Sequence, residues 1–123
     1  MIDNSKFEVS FRSIRDITLI DIKGFLDAHT APLFEDSIKN IISDGSYKII
    51  VNFKNLDYIS SAGLGVLMAF IEDLRTRKGD IKLAEMNDKV FSVFDLLGFP
   101  MLFDIDNNEN NLINKFDESQ IHE

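Results

Sequence analysis

The chain reads KIIVNFKNLDYISSAGLGVL from Lys48 to Leu67, and the other elements are arranged around this stretch. Its first apolar run, residues 49–51, is short, β-branched and flanked by polar side chains, which is typical of a buried strand. Residues 52–58 are mostly polar and predict a loop. Apolar residues then recur at helical spacing from Val66 to Leu74. The stretch therefore predicts a strand, a loop and a helix in succession.

Two adjacent serines, Ser60 and Ser61, fall where this loop enters the helix. Backbone N–H groups in the first turn of a helix have no partner within the helix, and they carry a partial positive charge. A serine hydroxyl there caps the helix, and a phosphate there is electrostatically favoured. The small residues Ala62, Gly63 and Gly65 leave both hydroxyls sterically open. On the residues alone, capping is the commoner reason for a serine at this position.

Residues 55–67, NLDYISSAGLGVL, resemble the signature of STAS domains, and most closely that of bacterial anti-sigma factor antagonists. In that family a partner anti-sigma factor kinase phosphorylates the serine or threonine two residues before the first glycine. The match implies that Ser61 is the phosphoacceptor. A second patch, GFLDAHTA from Gly24 to Ala31, is similar to the family's G-x-L-D-x-x-T-A loop. Together the two patches extend the resemblance over roughly residues 7 to 105.

The match departs from the family pattern on both sides of Ser61. Many regulatory members carry an aspartate just before the acceptor, where this chain has Ser60. Many carry a second hydroxyl residue just after it, where this chain has Ala62. Ser60 is therefore either a second candidate acceptor or the helix cap.

The resemblance implies that both patches belong to one partner-binding surface. The residues carried over to it are Asp27, His29, Thr30, Ser60, Ala62, Gly63 and Leu64. We expect Gly63, Leu64 and Met68 to form an apolar patch beside the acceptor. The alternative for residues 27–30 is ordinary loop polarity, with Thr30 capping the next helix. His29 is also a candidate for a pH-sensitive contact.

Composition limits the class of protein. A chain of 123 residues with 45% hydrophobic content suits one compact domain with a full core. The absence of cysteine excludes a disulfide scaffold and fits a reducing compartment. No apolar run approaches the ~20 residues needed to span a bilayer, and the N-terminus has no apolar signal-peptide core. We therefore expect a cytoplasmic protein.

The net charge of −8 limits the partners. An acidic domain repels phosphate backbones and anionic lipid surfaces, so we expect neither a nucleic-acid nor a membrane partner. The acidity on its own is explained by solubility. We expect a monomer or a weak dimer.

Periodicity along the chain predicts the order β-β-α-β-α-β-α-β-α. Strands are expected at residues 7–11, 17–22, 49–51, 81–84 and 101–103. A helix capped by Thr30 precedes the central strand. A last helix is expected after the capping-box spacing of Asp106 and Glu109, and residues 117–123 form an acidic tail. This order predicts one α/β domain, 1–123 with a core at about 7–116. Its sheet is mixed and mostly parallel, and four helices pack largely on one face, in agreement with the STAS fold.

Enzyme chemistry finds little support in the sequence. A serine hydrolase elbow, G-x-S-x-G, requires glycine two residues before Ser61, where this chain has Ile59. The three residue types of a catalytic triad are present in Ser61, His29 and Asp27, but no sequence motif indicates that their side chains are oriented toward one another. The glycine pattern after Ser61 lacks the third glycine of a dinucleotide site. No metal-ligand spacing is present. We expect no catalytic residue, no metal and no cofactor.

The family's mechanism implies a function. The unphosphorylated form captures an anti-sigma factor that is also a serine kinase, which frees a sigma factor. The kinase then uses its own ATP to phosphorylate Ser61, which ends the capture, and a PP2C-type serine phosphatase reverses the modification. Two alternatives share these residues. One is a STAS interaction module in a partner-switching circuit with a non-sigma output, and the other is a small-ligand or nucleotide-binding STAS domain.

Overall fold

The computed structural model describes residues 7–121, with side chains to residue 117. Along the chain lie β1 (Glu8–Ile14), β2 (Ile17–Leu26), α1 (Ala31–Ser43), β3 (Lys48–Ile59), α2 (Ser61–Thr76), β4 (Asp80–Ala84), α3 (Asp88–Leu96), a 3₁₀ turn (Phe99–Met101), β5 (Ile105–Asp106) and α4 (Glu109–Ile121). This is the element order that periodicity predicts.

The five strands form one sheet in sequential order, β1-β2-β3-β4-β5. β1 and β2 make an antiparallel hairpin, whose turn places Arg15 at φ 54°. The other three pairings are parallel. Each parallel connection passes through a helix or a longer crossover, as parallel strands require. The prediction of a mixed, mostly parallel sheet is therefore confirmed.

The core has two layers because helices cover both faces of the sheet. The larger layer packs α1, α2 and α3 against one face, with Phe34, Phe53 and Phe94 fully buried. The smaller layer lies under α4 on the opposite face, where Leu112 and Phe116 cover the sheet. Three of the four described helices thus share a face, which agrees with the prediction that they pack largely on one side.

The central strand is longer than predicted. β3 runs from Lys48 to Ile59, so residues 52–58 are strand and not loop. The extension pairs with β2 as far as Leu26 opposite Ile59, with two register shifts on the way. Phe53 and Leu56 are fully buried within it. The register shifts disturb strict alternation, which is why the polar residues in between resemble a loop.

The last strand lies later than predicted. Residues 99–101 form the 3₁₀ turn, which follows Gly98 in a left-handed conformation at φ 76°. β5 is a two-residue strand, Ile105–Asp106. Pro100 has no N–H for a sheet ladder, so the apolar run around it cannot continue as a strand.

The capping of α4 also differs from the prediction. The helix begins at Glu109, and Asp106 belongs to β5. Oδ1 of Asn108 accepts from the N–H of Asn110 at 2.9 Å, so Asn108 makes the capping bond.

A polar network joins α4 to the sheet. Arg12 of β1 donates to Oε1 of Glu109 at 2.6 Å and to Oδ2 of Asp21 at 2.6 Å. Nδ2 of the buried Asn52 also donates to Glu109, at 2.8 Å. The hydrogen bond from Arg12 lowers the pKa of Glu109; burial opposes it and the bond from Asn52 adds to it. The ionised carboxylate therefore connects β1 and β3 directly to the start of α4, and Arg12 extends the network to β2 through Asp21.

None of the helices within residues 7–121 is long and apolar enough to cross a membrane.

Candidate functional site

The two sequence patches meet at the carboxyl ends of two neighbouring strands. β2 and β3 are parallel, and Leu26 pairs with Ile59 at their ends. Immediately beyond that pair, the N–H of Ser60 donates to the carbonyl of Leu26 at 2.9 Å. The loop 27–30 and the start of α2 therefore lie side by side. The resemblance, which placed both in one surface, is consistent with this arrangement.

The β2–α1 loop is held by bonds within itself. Oδ1 of Asp27 accepts from the N–H groups of His29 and Thr30 at 2.9 and 3.1 Å. The hydroxyl of Thr30 donates to the carbonyl of Phe25 at 2.8 Å and accepts from the N–H of Asp27 at 3.0 Å. Asp27 and Thr30 fix the shape of the loop, and Ala28 and His29 are exposed at its tip.

The structure corrects the expectation that Thr30 caps α1. Thr30 occupies the position before the helix, but its side chain makes no capping bond. Its hydroxyl is already engaged with the loop backbone, which leaves no geometry for a bond to the first turn. Pro32 lies in the first turn, where its missing N–H leaves no donor unsatisfied.

The two serines have different environments. Ser60 is the N-cap of α2, with φ −105° and ψ 174°, and its Oγ accepts from the N–H of Ala62 at 3.3 Å. Ser61 is the first residue of the helix and is exposed. Within the described part of the chain, its hydroxyl makes no hydrogen bond. Capping, the alternative explanation for Ser61, is therefore performed by its neighbour.

Gly63 allows α2 to approach the ends of β2 and β3 closely. A Cβ at this position would lie 2.7 Å from Cγ of Leu26 and 3.0 Å from Cγ1 of Ile59. Such contacts are too short for a real side chain, so glycine sets the distance between the helix and the sheet. A Cβ at Gly65 would meet no atom within 4 Å.

The structure corrects the expectation that Gly63, Leu64 and Met68 form an apolar patch beside Ser61. Gly63 is buried, and Leu64 is 3% exposed and packs in the core. These two residues pack α2 against the sheet and are not accessible on the surface. Met68 is 43% exposed and does face solvent. Ala62 is half-buried beside the cap.

The sequence analysis missed an aromatic pair next to the site. The rings of Phe25 and Tyr58 lie 5.6 Å apart, centroid to centroid, and Tyr58 is 45% exposed. The two residues are paired across β2 and β3. Phe25 lies two residues before the loop that begins at Asp27, and Tyr58 lies three residues before Ser61. The available signal was a tyrosine in an otherwise polar stretch, which the expected loop obscured.

The geometry provides no activated nucleophile. Asp27 accepts from the backbone N–H of His29, not from its imidazole. Neither side chain is hydrogen-bonded to Ser61 among the described residues. A hydrolytic triad requires that chain of bonds. Over the same residues, no group of three or more His, Cys, Asp or Glu side chains is placed to hold a metal ion.

The electrostatics at the start of α2 favour an anion. The first turn of this 16-residue helix contains no acidic side chain. The positive end of the helix is therefore not neutralised from within. The carboxylate of Asp27, nearby in the adjoining loop, is occupied by two backbone N–H groups. The dipole at the start of α2 therefore favours an added phosphate on Ser61.

Comparison with known proteins identifies the family. The model of the STAS domain matches residues 8–112, and the chain belongs to the STAS domain family. BtrV of Bordetella bronchiseptica, named as a candidate anti-sigma factor antagonist, is 30% identical over 86 residues, which cover 70% of this chain and 74% of that protein. The anti-sigma-B factor antagonist of Listeria monocytogenes is 28% identical over 100 residues, covering 80% and 88% of the two chains.

Solved structures show the same fold. The anti-sigma factor antagonist SpoIIAA in its unphosphorylated form superposes with a TM-score of 0.74 at 25% identity, covering 89% of this chain and 95% of that one. SpoIIAA in its phosphorylated form gives a TM-score of 0.67 at 24% identity, with 89% and 98% covered. BtrV, the Listeria protein and unphosphorylated SpoIIAA are all named as anti-sigma factor antagonists, which are regulators.

Proposed function

We propose that this protein is an anti-sigma factor antagonist controlled by phosphorylation of Ser61. Unmodified, it binds an anti-sigma factor that is also a serine kinase, and a sigma factor is released. The observation that carries the proposal is the difference between the two serines: Ser60 caps α2, while the Ser61 hydroxyl is exposed and has no hydrogen-bond partner in the described chain. The family and its named relatives support the same role.

The position of Ser61 supports a switch that acts on binding and not on folding. A phosphate adds about −1.5 to −2 charges. At the start of a helix this charge is favoured by the dipole, so we expect the domain to stay folded. Against a docked partner the same charge must lose water without a matched cation. Each ~1.4 kcal/mol of that mismatch weakens binding tenfold.

The remaining parts of the proposal follow from the class of switch. The phosphate comes from the ATP of the partner kinase, so this chain is substrate and ligand, and a PP2C-type serine phosphatase restores the binding form. The circuit operates in the cytoplasm. Two observations lend support. The fold neighbour SpoIIAA is known in both phosphorylation states. Exposed residues 28, 29 and 61 lie together beyond the carboxyl ends of β2 and β3.

The test begins with the partner. The tagged protein is purified from its native cells, the co-purifying anti-sigma factor is identified, and that factor is produced in recombinant form. Wild type, Ser61→Ala and the matched variant Ser60→Ala are then incubated with it and ATP, and the products are mapped by peptide mass spectrometry. We expect phosphate on Ser61 in wild type and in Ser60→Ala, and none in Ser61→Ala.

Binding provides the second measurement. We expect Ser61→Ala to bind the anti-sigma factor as wild type does, and Ser61→Glu to lose at least about tenfold in affinity, equivalent to ~1.4 kcal/mol. Equal affinity of wild type and Ser61→Glu would contradict the switch. Phosphate found on Ser60 would contradict the choice of acceptor. A co-purifying kinase without sigma-binding activity would redirect the proposal to a circuit with another output.

A further inference from the structure

A run of exposed apolar residues follows α3. Leu96 is 85% exposed, Leu97 55%, Met101 91% and Leu102 42%. Single exposed apolar side chains are ordinary on protein surfaces, whereas neighbouring ones mark an interaction site. These four fall within seven residues, across the end of α3 and the 3₁₀ turn.

Of these four residues, Leu102, directly after the 3₁₀ turn, forms one wall of a groove against α2, which we call the α2–turn groove. Its volume is about 470 Å³, and it is lined by Met68, Ile71, Glu72, Arg75, Thr76 and Leu102. The guanidinium of Arg75 donates to the carbonyl of Leu102 at 2.5 Å and to Oδ1 of Asp80 at 3.0 Å. These bonds fix the turn to the helix, so both walls of the groove are held in place.

The groove is continuous with the exposed face of α2 that begins at Ser61. Ser61, Gly65, Met68 and Glu72 are spaced by four, three and four residues, so they lie on one face of the helix. All four are exposed. At ~1.5 Å per residue, Met68 lies about 10 Å along the axis from Ser61. Gly65, between them, carries no side chain to interrupt the surface.

We propose that the anti-sigma factor that docks at Ser61 also fills the α2–turn groove, with an apolar side chain flanked by basic residues; this inference rests on the proposed function. A stable interface takes about 800 Å² from each partner, or some 20–30 residues. The loop and helix start around Ser61 provide about a third of that number. Interfaces are enriched in methionine and arginine, and both Met68 and Arg75 line the groove.

Charge indicates which partner fits. Glu72 and Arg75 both line the groove, but Arg75 is paired with Asp80 at 3.0 Å, whereas the Glu72 carboxylate has no ion pair among the described residues. The whole chain carries a net charge of −8. A second copy of the chain would bring the same net charge to the contact, which disfavours self-association. A partner with lysine or arginine around an apolar projection is complementary to both features.

The test compares charge insertion in the groove with charge insertion elsewhere. Met68→Lys and Leu102→Lys place an ammonium in the groove, and Met68→Gln removes apolar character at nearly constant length. Phe11→Lys is the matched control, because Phe11 is 53% exposed but lies on β1, at the far edge of the sheet. Affinity for the recombinant anti-sigma factor is measured by titration calorimetry, and thermal unfolding verifies that each variant is folded.

We expect both lysine variants to weaken binding at least about tenfold, Met68→Gln to weaken it in the same direction, and Phe11→Lys to change it less than about twofold. If Ser61→Glu abolishes binding while the groove variants bind as wild type does, the inference is overturned and the proposed function stands. If wild type does not bind the factor, both are overturned. A dimer in sedimentation that Met68→Lys dissociates would show a second copy in the groove and would also overturn the inference.

Discussion

Neighbouring residues of the same type have different structural roles in the site. Ser60 and Ser61 are chemically identical neighbours, yet the first caps α2 and the second is exposed without a partner in the described chain. The backbone makes the difference, because Ser60 is extended and Ser61 is helical. The two glycines of the same turn differ in a similar way. Gly63 faces the sheet and Gly65 faces solvent.

The glycines give a matched pair of substitutions. We expect Gly63→Ala to lower the free energy of unfolding by about 1–3 kcal/mol, because its Cβ overlaps the buried Leu26 side chain. We expect Gly65→Ala to raise it by about 0.5–1 kcal/mol, because alanine is the better helix former and the space is open. Urea unfolding followed by circular dichroism measures both. A Gly63→Ala variant as stable as wild type would disprove the close approach.

At the scale of one element, α2 connects Ser61, the proposed phosphoacceptor, to the groove. Its N-terminus carries Ser61, its exposed face carries Gly65 and Met68, and its last turn holds Arg75 against the 3₁₀ turn. The helix could be predicted from sequence because its buried residues recur at helical spacing. The groove could not, because it depends on a turn that lies 27 residues further along the chain. No local pattern reports such a contact.

The polarity of α2 predicts opposite effects of the same charge at its two ends. Ser61→Glu places an acid at the positive end, and we expect it to stabilise the protein by about 0.3–1 kcal/mol at low salt. Thr76→Glu places it at the negative end, and we expect destabilisation of similar size. Unfolding is measured at low and at 1 M NaCl, where screening should reduce both effects. If Ser61→Glu proves less stable than Thr76→Glu, the predicted order is wrong, and a negative charge at Ser61 destabilises the folded domain.

For the whole molecule, the sequence predicted the order of elements and the α/β class because most segments have a clear period. It failed where tertiary contacts override that period. β3 extends through residues 52–58 because β2 continues beside it, and the strand expected at 101–103 is displaced by Gly98 and Pro100. Leu64 appeared to be a surface residue because its motif implied a partner. Its burial follows from how α2 sits on the sheet.

Ionisable groups join α4 to the sheet, which makes stability depend on pH. The pKa of Glu109 is lowered from its ordinary 4.5 in the folded state, so its contribution is present above that value and is lost as the pH falls through the folded pKa. Burial tends to raise the pKa of Asp104, but its bonds to Lys82 and Lys115 outweigh burial and lower it. Asp104 therefore adds to the same loss in acid.

Glu109→Gln tests the network. At pH 7 we expect this variant to be about 1–3 kcal/mol less stable than wild type, because Arg12 and Asn52 lose a charged acceptor. The difference should begin to shrink as the pH falls below 4.5, where the carboxylate of the unfolded chain is protonated, and should vanish as the pH falls through the lower pKa of the folded state. Urea unfolding at pH 7, 5 and 3.5 measures the difference. Asn110→Gln, an exposed substitution in the same turn, should follow the wild-type curve.

The separate roles of Ser60 and Ser61 have a consequence for timing. Because the helix is capped by one serine and the hydroxyl of the other is unbonded in the described chain, the phosphate that we propose on Ser61 would break no existing hydrogen bond of that hydroxyl. In the proposed switch, the interval between a signal and its response would then be set by two chemical steps, phosphoryl transfer and hydrolysis, and by the lifetime of the complex. Refolding of the domain would add no delay in either direction.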